Sequence, residues 1–297
     1  MAICKEGHCS FSNHRLYLWL FYVFVFLAGY TPSTLYAPPS RVIDGLQVLY
    51  TFDEGSGSVV QDVSGTGSPL NLNINDTSKV SWQSSSLIVD SAATISSAAS
   101  ANKIITSVTS TNEITIEAWI TPNSISQSGP ARIVSLSATA LERNFTLGQQ
   151  NQRYDARLRT TSTSDNGRPS LNTANGIVVT LLTHAVYTRN SAGVATLYVD
   201  GIELSSKTID GNMSNWDSTY RLLLANEGTE DRPWLGEYFL VAIYNKALTA
   251  SEVEQNFSAG VDLGPAAPII SNINVTPSET VATLPWDTDI DSDSTIA

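Results

Sequence analysis

The sequence predicts an all-β protein, built as a two-sheet antiparallel jelly-roll sandwich with one short C-terminal helix. Three observations favour this class. Short strand patterns recur between Leu46 and Gly260, separated by Gly, Asn and Ser turns. Asp200-Gly201 divides two alternating runs, which is the strongest local signature of a β-hairpin. No long stretch shows helical periodicity except the segment after Asn245.

The strand patterns follow one another along the chain with apolar residues at every second position. ITIEAWI, for example, places Ile114, Ile116, Ala118 and Ile120 on one face. The predicted strands are LQVLY from Leu46, ITIEAWI from Ile114, ARIVSLS from Ala131, RNFTLGQ from Arg143, YDARLRT from Tyr154, THAVYTRN from Thr183, and VATLYVDG with IELSSKTI up to Ile209.

The last strand and the helix are predicted from the segment RPWLGEYFLVAIYNKALTASEV. Its uninterrupted apolar run ends at Tyr244, and such a run suits a strand that is covered on both faces. Thr249 then stands as an N-cap with Glu252 three residues later, the spacing of a capping box. Gly260 is placed to end the short helix.

Composition narrows the classes of function. The formal net charge is -12, which argues against nucleic acid as a partner because phosphates require Lys and Arg. Both cysteines, Cys4 and Cys9, precede the apolar run from Leu16 to Tyr30. A mature chain that lacks this segment would therefore have no disulfide, no thiol nucleophile and no Cys-bound zinc.

The domain organisation is predicted from these composition changes. The apolar run is shorter than the roughly 20 residues of a bilayer span, which indicates a signal peptide, or a signal anchor if it is not cleaved. We therefore expect a secreted or cell-surface protein that touches the membrane only through this segment. The predicted parts are the signal (1–37), a linker (38–45), the jelly roll (46–260), a second linker (261–268) and a partial β domain (269–297), as if from a longer gene.

Four blocks of the chain carry a family resemblance: LQVLYTFDEGSGSVVQDVSG, ITIEAWITP, LTHAVYTRNSAGVATLYVDG and RPWLGEYFLVAIYNKALTASEV. In their order and spacing they resemble the laminin-G-like, concanavalin-A-like jelly rolls of secreted bacterial multidomain proteins. The tail from Pro268 resembles the start of a fibronectin-type-III-like domain. The resemblance implies two stacked sheets and rim loops that bind sugars or partner proteins, but it implies no particular ligand.

Catalytic and zinc chemistries find little support in the residues. Related glucanases carry Glu-x-Asp-x-x-Glu on one strand, and no such triplet occurs here. His184 is the only histidine after the apolar run, and no zinc-ligand spacing is present. The sequence therefore predicts that the protein is not an enzyme.

Candidate ligand-binding residues are aromatic rings beside amide and carboxylate groups. Trp216 is the first candidate for stacking on a sugar ring, because it lies in a turn-rich loop with Asn215 and Asp217. Tyr154 is a further candidate. The other reading of Trp216 is a partly buried residue that holds its loop to the core.

Candidate metal ligands are acids in two loops. Asp53 and Glu54 follow the first strand and Asp231 precedes the last, so they could supply oxygen ligands to a structural calcium ion. Relatives often carry an Asp-Glu pair in the terminal strand, where Phe239 and Leu240 stand here. The alternative is that these acids occupy solvated turns with local hydrogen bonds.

These observations predict a non-catalytic extracellular binding module that recognises carbohydrate or a cell-surface partner. A spacer domain with no ligand of its own is the alternative, and a glycoside hydrolase comes third. An exposed aromatic residue on a sheet face would favour the first function over the second.

Overall fold

A computed structural model describes residues 39–262 and four two-residue strands that follow them. The predicted signal (1–37) and, apart from those short strands, the predicted fibronectin-type-III-like segment (269–297) lie outside the described residues. Within the described residues, no helix is both long enough and apolar enough to cross a membrane.

The elements follow in chain order. They are β1 Leu46–Tyr50, β2 Val59–Val60, β3 Leu72–Ile74, β4 Val80–Trp82, β5 Leu87–Val89, β6 Ile95–Ser97, α1 Asn102–Thr111, β7 Ile114–Pro122, β8 Ala131–Ser137, β9 Arg143–Gln150, β10 Arg153–Leu158, β11 Leu171–Asn172, β12 Thr183–Arg189, β13 Val194–Val199, β14 Ile202–Thr208, β15 Arg221–Leu224, β16 Gly236–Tyr244, α2 Ala250–Ala259, β17 Ile270–Ser271, β18 Thr276–Pro277, β19 Ala282–Thr283 and β20 Asp287–Thr288. A 3-10 turn, Thr77–Lys79, precedes β4.

Strands β1 to β16 form two eight-stranded antiparallel sheets. The first sheet has the order β14-β13-β12-β7-β16-β5-β4, and β1 pairs with the C-terminal half of β16. The second sheet has the order β11-β10-β9-β8-β15-β6-β3-β2. Beyond them, β17 pairs with β20 and β18 with β19. The two-sheet antiparallel jelly roll is confirmed.

The main hydrophobic core lies between the two sheets. Ile114, Ile116, Ala118 and Ile120 of β7 are all fully buried in it, as their alternation predicts. Trp234 is also fully buried there and donates its indole hydrogen to a glutamine side chain. Alternating residues of both sheets thus fill one continuous core.

The local signals at the hairpin and the last helix are confirmed. Asp200 and Gly201 have φ values of 51° and 79°, the positive angles that a two-residue hairpin turn requires. Thr249 and Glu252 form a complete capping box, and Gly260 caps the end of α2.

Helix α1 is an element that the sequence patterns did not predict. It has the β-branched composition NKIITSVTST, which has a low helix propensity. The helix nevertheless forms because Ile104, Ile105 and Val108 lie on one face and are buried in the core. Tertiary packing therefore outweighs local preference, and the helix ends at Asn112 in the left-handed conformation.

The outer face of the first sheet is covered by α2 and by residues 40–45. The amide of Val42 donates to the Asn256 side chain of α2, and Gln255 donates to the carbonyl of Ser40. Lys246 pairs with Asp44. The segment predicted to be a linker is therefore hydrogen-bonded to the domain from Ser40 onwards.

Candidate functional site

The covered face of the first sheet contains a buried polar cluster, which we call the Glu117 cluster. It consists of Glu117, Arg41, His184, Tyr244 and Asn256. The Glu117 carboxylate accepts hydrogen bonds from His184 Nε2 at 2.8 Å, Asn256 Nδ2 at 2.8 Å and the Tyr244 hydroxyl at 3.3 Å, and it pairs with Arg41. Both Glu117 and His184 are fully buried.

Burial and internal hydrogen bonds give this cluster a structural role. Burial alone would raise the pKa of Glu117, but the hydrogen bond and charge of His184, together with the charge of Arg41, lower that pKa to about 2. The His184 ring also stacks on Trp119, with the ring centroids 4.6 Å apart. The cluster therefore joins β7, β12, β16, α2 and the N-terminal segment, and its carboxylate is closed to solvent.

The outer face of the second sheet has a rigid polar floor over β8, β9 and β10. Arg132 pairs with Glu227 at 2.9 Å, and Arg157 pairs with Asp155 at 2.7 Å. Both pairs are buried. Each carboxylate on this floor is therefore neutralised by its own arginine, and the side chains are fixed in place.

Arg143 adds a third guanidinium to this floor. It is fully buried and donates to Thr146 Oγ1 and to the carbonyl of Ala140. Among the described residues it forms no ion pair. Burial, with the nearby positive charges of Arg132 and Arg157, lowers the pKa of Arg143 to about 9.

Beside this floor, one row of side chains crosses the outer face of the second sheet. Cross-strand pairing aligns Val59, Asn73, Ser96, Leu223 and Ser135 on β2, β3, β6, β15 and β8. Their sequence neighbours on β3, β6, β15 and β8 belong to the core, so this row faces outwards. We call this row the open groove.

The side chains of the open groove are accessible on β2, β3 and β6 and are buried on β15 and β8. Val59 is 36 % exposed, whereas Leu223 is 1 % exposed. A depression of about 400 Å³ lies at the β2 end, beside Val59 and Asn73. A second depression, of about 220 Å³, lies at the β15 end and is lined by Thr219, Arg221 and Leu223 among others.

The length of the groove follows from sheet geometry. Five strands that are about 4.8 Å apart span about 19 Å from β2 to β8. Among the residues that the structure describes, Arg221 is the only charged one that lines either depression. The row is therefore long and largely uncharged, with an accessible strip over β2, β3 and β6 and a separate depression at β15, an arrangement that suits a chain-like polar ligand more than a compact one.

Trp216 does not have the exposed ring that was expected of it. It is 7 % exposed, packs near Phe145 with ring centroids 6.0 Å apart, and donates its indole hydrogen to the carbonyl of Arg159 at 2.8 Å. The expectation of a stacking platform is therefore wrong at this position. The ring instead holds its loop against the core, which was the alternative reading.

The two polar neighbours of Trp216 serve the same loop. Asn215 donates to the carbonyl of Thr160, and the backbone of Asp217 exchanges two hydrogen bonds with the Asn144 side chain. The Asp217 carboxylate accepts from the hydroxyl and amide of Thr219, which lowers its pKa. Both side chains therefore stabilise the loop conformation.

Tyr154 is also unsuitable as a ligand-binding residue on the surface. Its side chain on β10 points into the core and is fully buried, and this burial raises the pKa of its hydroxyl. The prediction that it contacts a ligand requires an exposed ring. It is wrong for the same reason as the prediction for Trp216.

The three predicted calcium ligands are each occupied by local contacts. Asp53 accepts from the Thr51 hydroxyl, and Glu54 accepts from the amide of Gln61 at 2.6 Å. Asp231 accepts from a threonine hydroxyl and pairs with Arg232. In the described part of the chain, no group of three or more His, Cys, Asp or Glu side chains is placed to hold a metal ion.

Sequence reasoning missed the residues that organise both outer faces. Arg132, Arg143 and Glu227 on the second sheet, and Glu117 on the first, are charged residues inside or beside otherwise buried strands. That position is itself a signal, because a charge is almost never fully buried unless it has a partner. The ion-pair partners of Arg132 and Glu117 are distant in sequence and were not identifiable from the local pattern. Arg143 differs, because its hydrogen-bond partners Thr146 and Ala140 are each three residues away.

This fold defines the class of protein as a two-sheet antiparallel jelly roll. The family model described as the concanavalin A-like lectin/glucanases superfamily matches residues 90–254, which are more than half of the chain. The chain belongs to this superfamily. No curated protein matches it significantly in sequence.

Solved structures of similar fold come from several kinds of protein. Trypanosoma rangeli sialidase in complex with sialic acid superposes with a TM-score of 0.54 at 16% identity, covering 72% of this chain and 33% of the sialidase. Domain 4 of AbnA, a GH43 extracellular arabinanase from Geobacillus stearothermophilus, in complex with arabinotriose, gives 0.51 at 16% identity, covering 73% of this chain and 98% of that domain. The binding domain of botulinum neurotoxin DC in complex with rat synaptotagmin II gives 0.54 at 11% identity, covering 74% and 52%.

These similarities show a shared fold. The chain spans only about a third of the length of the sialidase, so the activity of that whole enzyme does not transfer to it.

Proposed function

We propose that this protein is a non-catalytic carbohydrate-binding module, acting outside the cell, that holds an oligosaccharide chain along the open groove. The observation that carries the proposal is the contrast between the two outer faces. The first sheet is largely covered by α2 and residues 40–45, whereas the second sheet keeps accessible side chains on β2, β3 and β6 and a depression beside β15. The structures of similar fold that are bound to sialic acid and arabinotriose support a carbohydrate as the ligand class.

The groove offers hydrogen-bonding groups on a partly apolar surface. Asn73 is exposed and Ser96 is half-buried, and the small side chains of Ala98 and Ala99 leave room beside them. Alternating polar and apolar contacts suit a sugar, which presents hydroxyl groups at its rim and C–H groups on its ring faces. In the described part of the chain, Tyr220 is the only aromatic residue that lines either depression, so we expect weak binding to each sugar unit.

The arrangement of acids supports binding without catalysis. A glycosidase of the usual kind needs two carboxyl groups, about 5 to 9.5 Å apart, that flank the scissile bond. The two carboxylates of the floor, Asp155 and Glu227, are buried and held by Arg157 and Arg132. In this state they are poorly placed to donate a proton or to attack a sugar.

The test is an array of neutral and acidic oligosaccharides, probed with the full chain and with Ser96→Tyr, which puts a large ring in the middle of the groove. We expect the unmodified protein to bind and Ser96→Tyr to lose binding. Thr208→Tyr is the matched control, because Thr208 is exposed on a strand of the other sheet.

Two results would contradict the proposal. Equal binding by Ser96→Tyr and by the unmodified protein would show that the ligand does not bind in the open groove. No binding by a correctly folded full chain would favour the spacer function instead. A repeat of the array with chelator tests the predicted calcium ion, since binding lost only with chelator would show a metal requirement.

A further inference from the structure

A cavity of about 360 Å³ lies on the part of the first sheet's outer face that α2 leaves uncovered. We call it the side cavity. Its floor is set by strand register, because Thr188, Thr196 and Ser206 are direct neighbours on β12, β13 and β14. Tyr198 and Glu203 form the next row towards the hairpin turn. This volume falls in the range of about 300 to 1,000 Å³ that small-molecule sites occupy.

The segment before α2 forms one wall of the side cavity. This wall consists of Ala247, Leu248 and Thr249, and Val194 adds a further apolar side chain to the lining. Leu248 is itself fixed, because its amide donates to the Thr115 hydroxyl at 2.9 Å and its side chain belongs to the smaller apolar cluster. The cavity therefore lies between a rigid sheet and the capped start of a helix, rather than between mobile loops.

Two polar groups of the lining are available to a ligand. The Glu203 carboxylate forms no ion pair and accepts no hydrogen bond within residues 39–262. The Asn190 side chain accepts from the amide of Val194 through Oδ1, which leaves its Nδ2 group without a partner in the same part of the chain. Asn190 and Glu203 thus supply a donor and an acceptor on opposite sides of the hydroxyl-lined floor.

The phenol of Tyr198 lies in this polar lining, because Tyr198 is paired directly with Glu203 across β13 and β14. Burial raises its pKa, and the negative charge of Glu203 raises it further, while the hydroxyls of Thr196 and Thr188 act in the opposite direction. The carboxylate, the phenol and the two threonine hydroxyls therefore share one polar environment. Among the described residues that line the cavity, Glu203 alone carries a charge.

We propose that the side cavity is a second saccharide-binding site, separate from the open groove, and that it takes a sugar ring without an anionic group. Hydroxyl donors and acceptors beside Val194 and Leu248 match a neutral sugar, and Glu203 repels a carboxylate or sulfate. This proposal rests on the proposed function only in its ligand class. The two sites use different sheets and different residues.

The test uses three methyl glycosides that share one ring and differ in charge: methyl glucoside, methyl glucosaminide and methyl glucuronide. Each is titrated into the full chain while backbone amide shifts are followed by NMR. We expect the glucoside and the glucosaminide to shift the amides of Thr188, Thr196 and Ser206, and the glucuronide to leave them unchanged. Ser206→Tyr fills the cavity and should abolish these shifts.

Glu203→Gln tests the charge without changing the shape of an exposed side chain. We expect the glucoside to bind about tenfold more weakly, because a hydrogen bond to a charged acceptor is lost. The glucuronide, which leaves these amides unchanged in the unmodified protein, should begin to shift them in Glu203→Gln, because the repulsion is removed. Ser96→Tyr, which blocks only the open groove, is the control and should leave both results as in the unmodified protein.

The outcomes separate the two proposals. Shifts confined to the groove residues Asn73 and Ser96 would contradict the proposal that the side cavity binds a sugar, and the proposed function of the open groove would still stand. Equal binding of glucuronide and glucoside at Thr196 would overturn the assigned ligand class. If none of the three glycosides shifts the amides of Thr188, Thr196 and Ser206, the side cavity is not a sugar site. The oligosaccharide array alone then decides the function of the open groove.

Discussion

The most informative perturbation of the fold is Glu117→Gln, because it removes one charge on which four donors converge. The carboxyl pKa falls from 4.5 to about 2 on folding. The unfolded chain therefore binds a proton before the folded chain does as the pH drops. The stabilisation is present in full above about pH 4.5 and is lost as the pH falls towards 2.

The magnitude follows from the pKa values. At about 1.4 kcal/mol for each tenfold change in an equilibrium constant, this fall in pKa corresponds to about 3 kcal/mol of stability. We expect Glu117→Gln to lower the free energy of unfolding near pH 7 by about that amount, because Arg41 and His184 then face a neutral amide. The variant should also lose the corresponding dependence on pH between 4.5 and 2.

The assay is urea unfolding of the full chain, followed by tryptophan fluorescence at a series of pH values. Glu254→Gln is the matched control, because Glu254 is an exposed carboxylate on α2. The reasoning would be refuted if Glu117→Gln and the unmodified protein lost stability in parallel on acidification. It would also be refuted if the loss near pH 7 did not exceed that of the control.

Three further predictions concern the interior and the helix cap. Trp216→Ala should lower the free energy of unfolding by about 3 to 5 kcal/mol, as measured by urea unfolding, since it leaves a cavity in the core. Under conditions in which the variant is fully folded, its glycan binding on the array should be unchanged. Arg132→Met should lower the free energy of unfolding by about 3 to 5 kcal/mol, because it leaves Glu227 buried without its cation. The double variant Arg132→Met with Glu227→Leu should recover much of this loss in the same unfolding assay. Thr249→Ala should cost about 1 kcal/mol by removing the cap of α2, and a melting temperature no lower than that of the unmodified protein would contradict the prediction.

Local sequence patterns were sufficient to predict much of the architecture. The alternation of ITIEAWI places Ile116 and Ala118 on a buried face, and both are fully buried in the core. Asp200-Gly201 predicts the tight turn because few other dipeptides tolerate two positive φ angles. These signals are reliable because they depend on short-range sterics and hydrogen bonds within a few residues.

The functional predictions were harder because they depended on exposure. Trp216 and Tyr154 were chosen as aromatic residues that could meet a ligand, but both rings are buried. Local sequence does not decide whether the ring of a loop tryptophan or of a strand tyrosine faces the core or the solvent. Only the packing of Trp216 against Phe145, far away in sequence, decides which side the ring occupies.

The sequence by itself determined the strand periods, the hairpin turn and the capped helix, because each depends on interactions between near neighbours. The jelly-roll class followed from the order and spacing of these patterns along the chain. The tertiary structure alone decided that α2 and the segment at Arg41 cover one sheet while the other stays accessible at β2, β3 and β6. It also joined Arg41 to Glu117 and Arg132 to Glu227 across long separations in the chain. Burial and charge pairing are properties of the whole fold, since the free energy of an ion pair depends on what surrounds it.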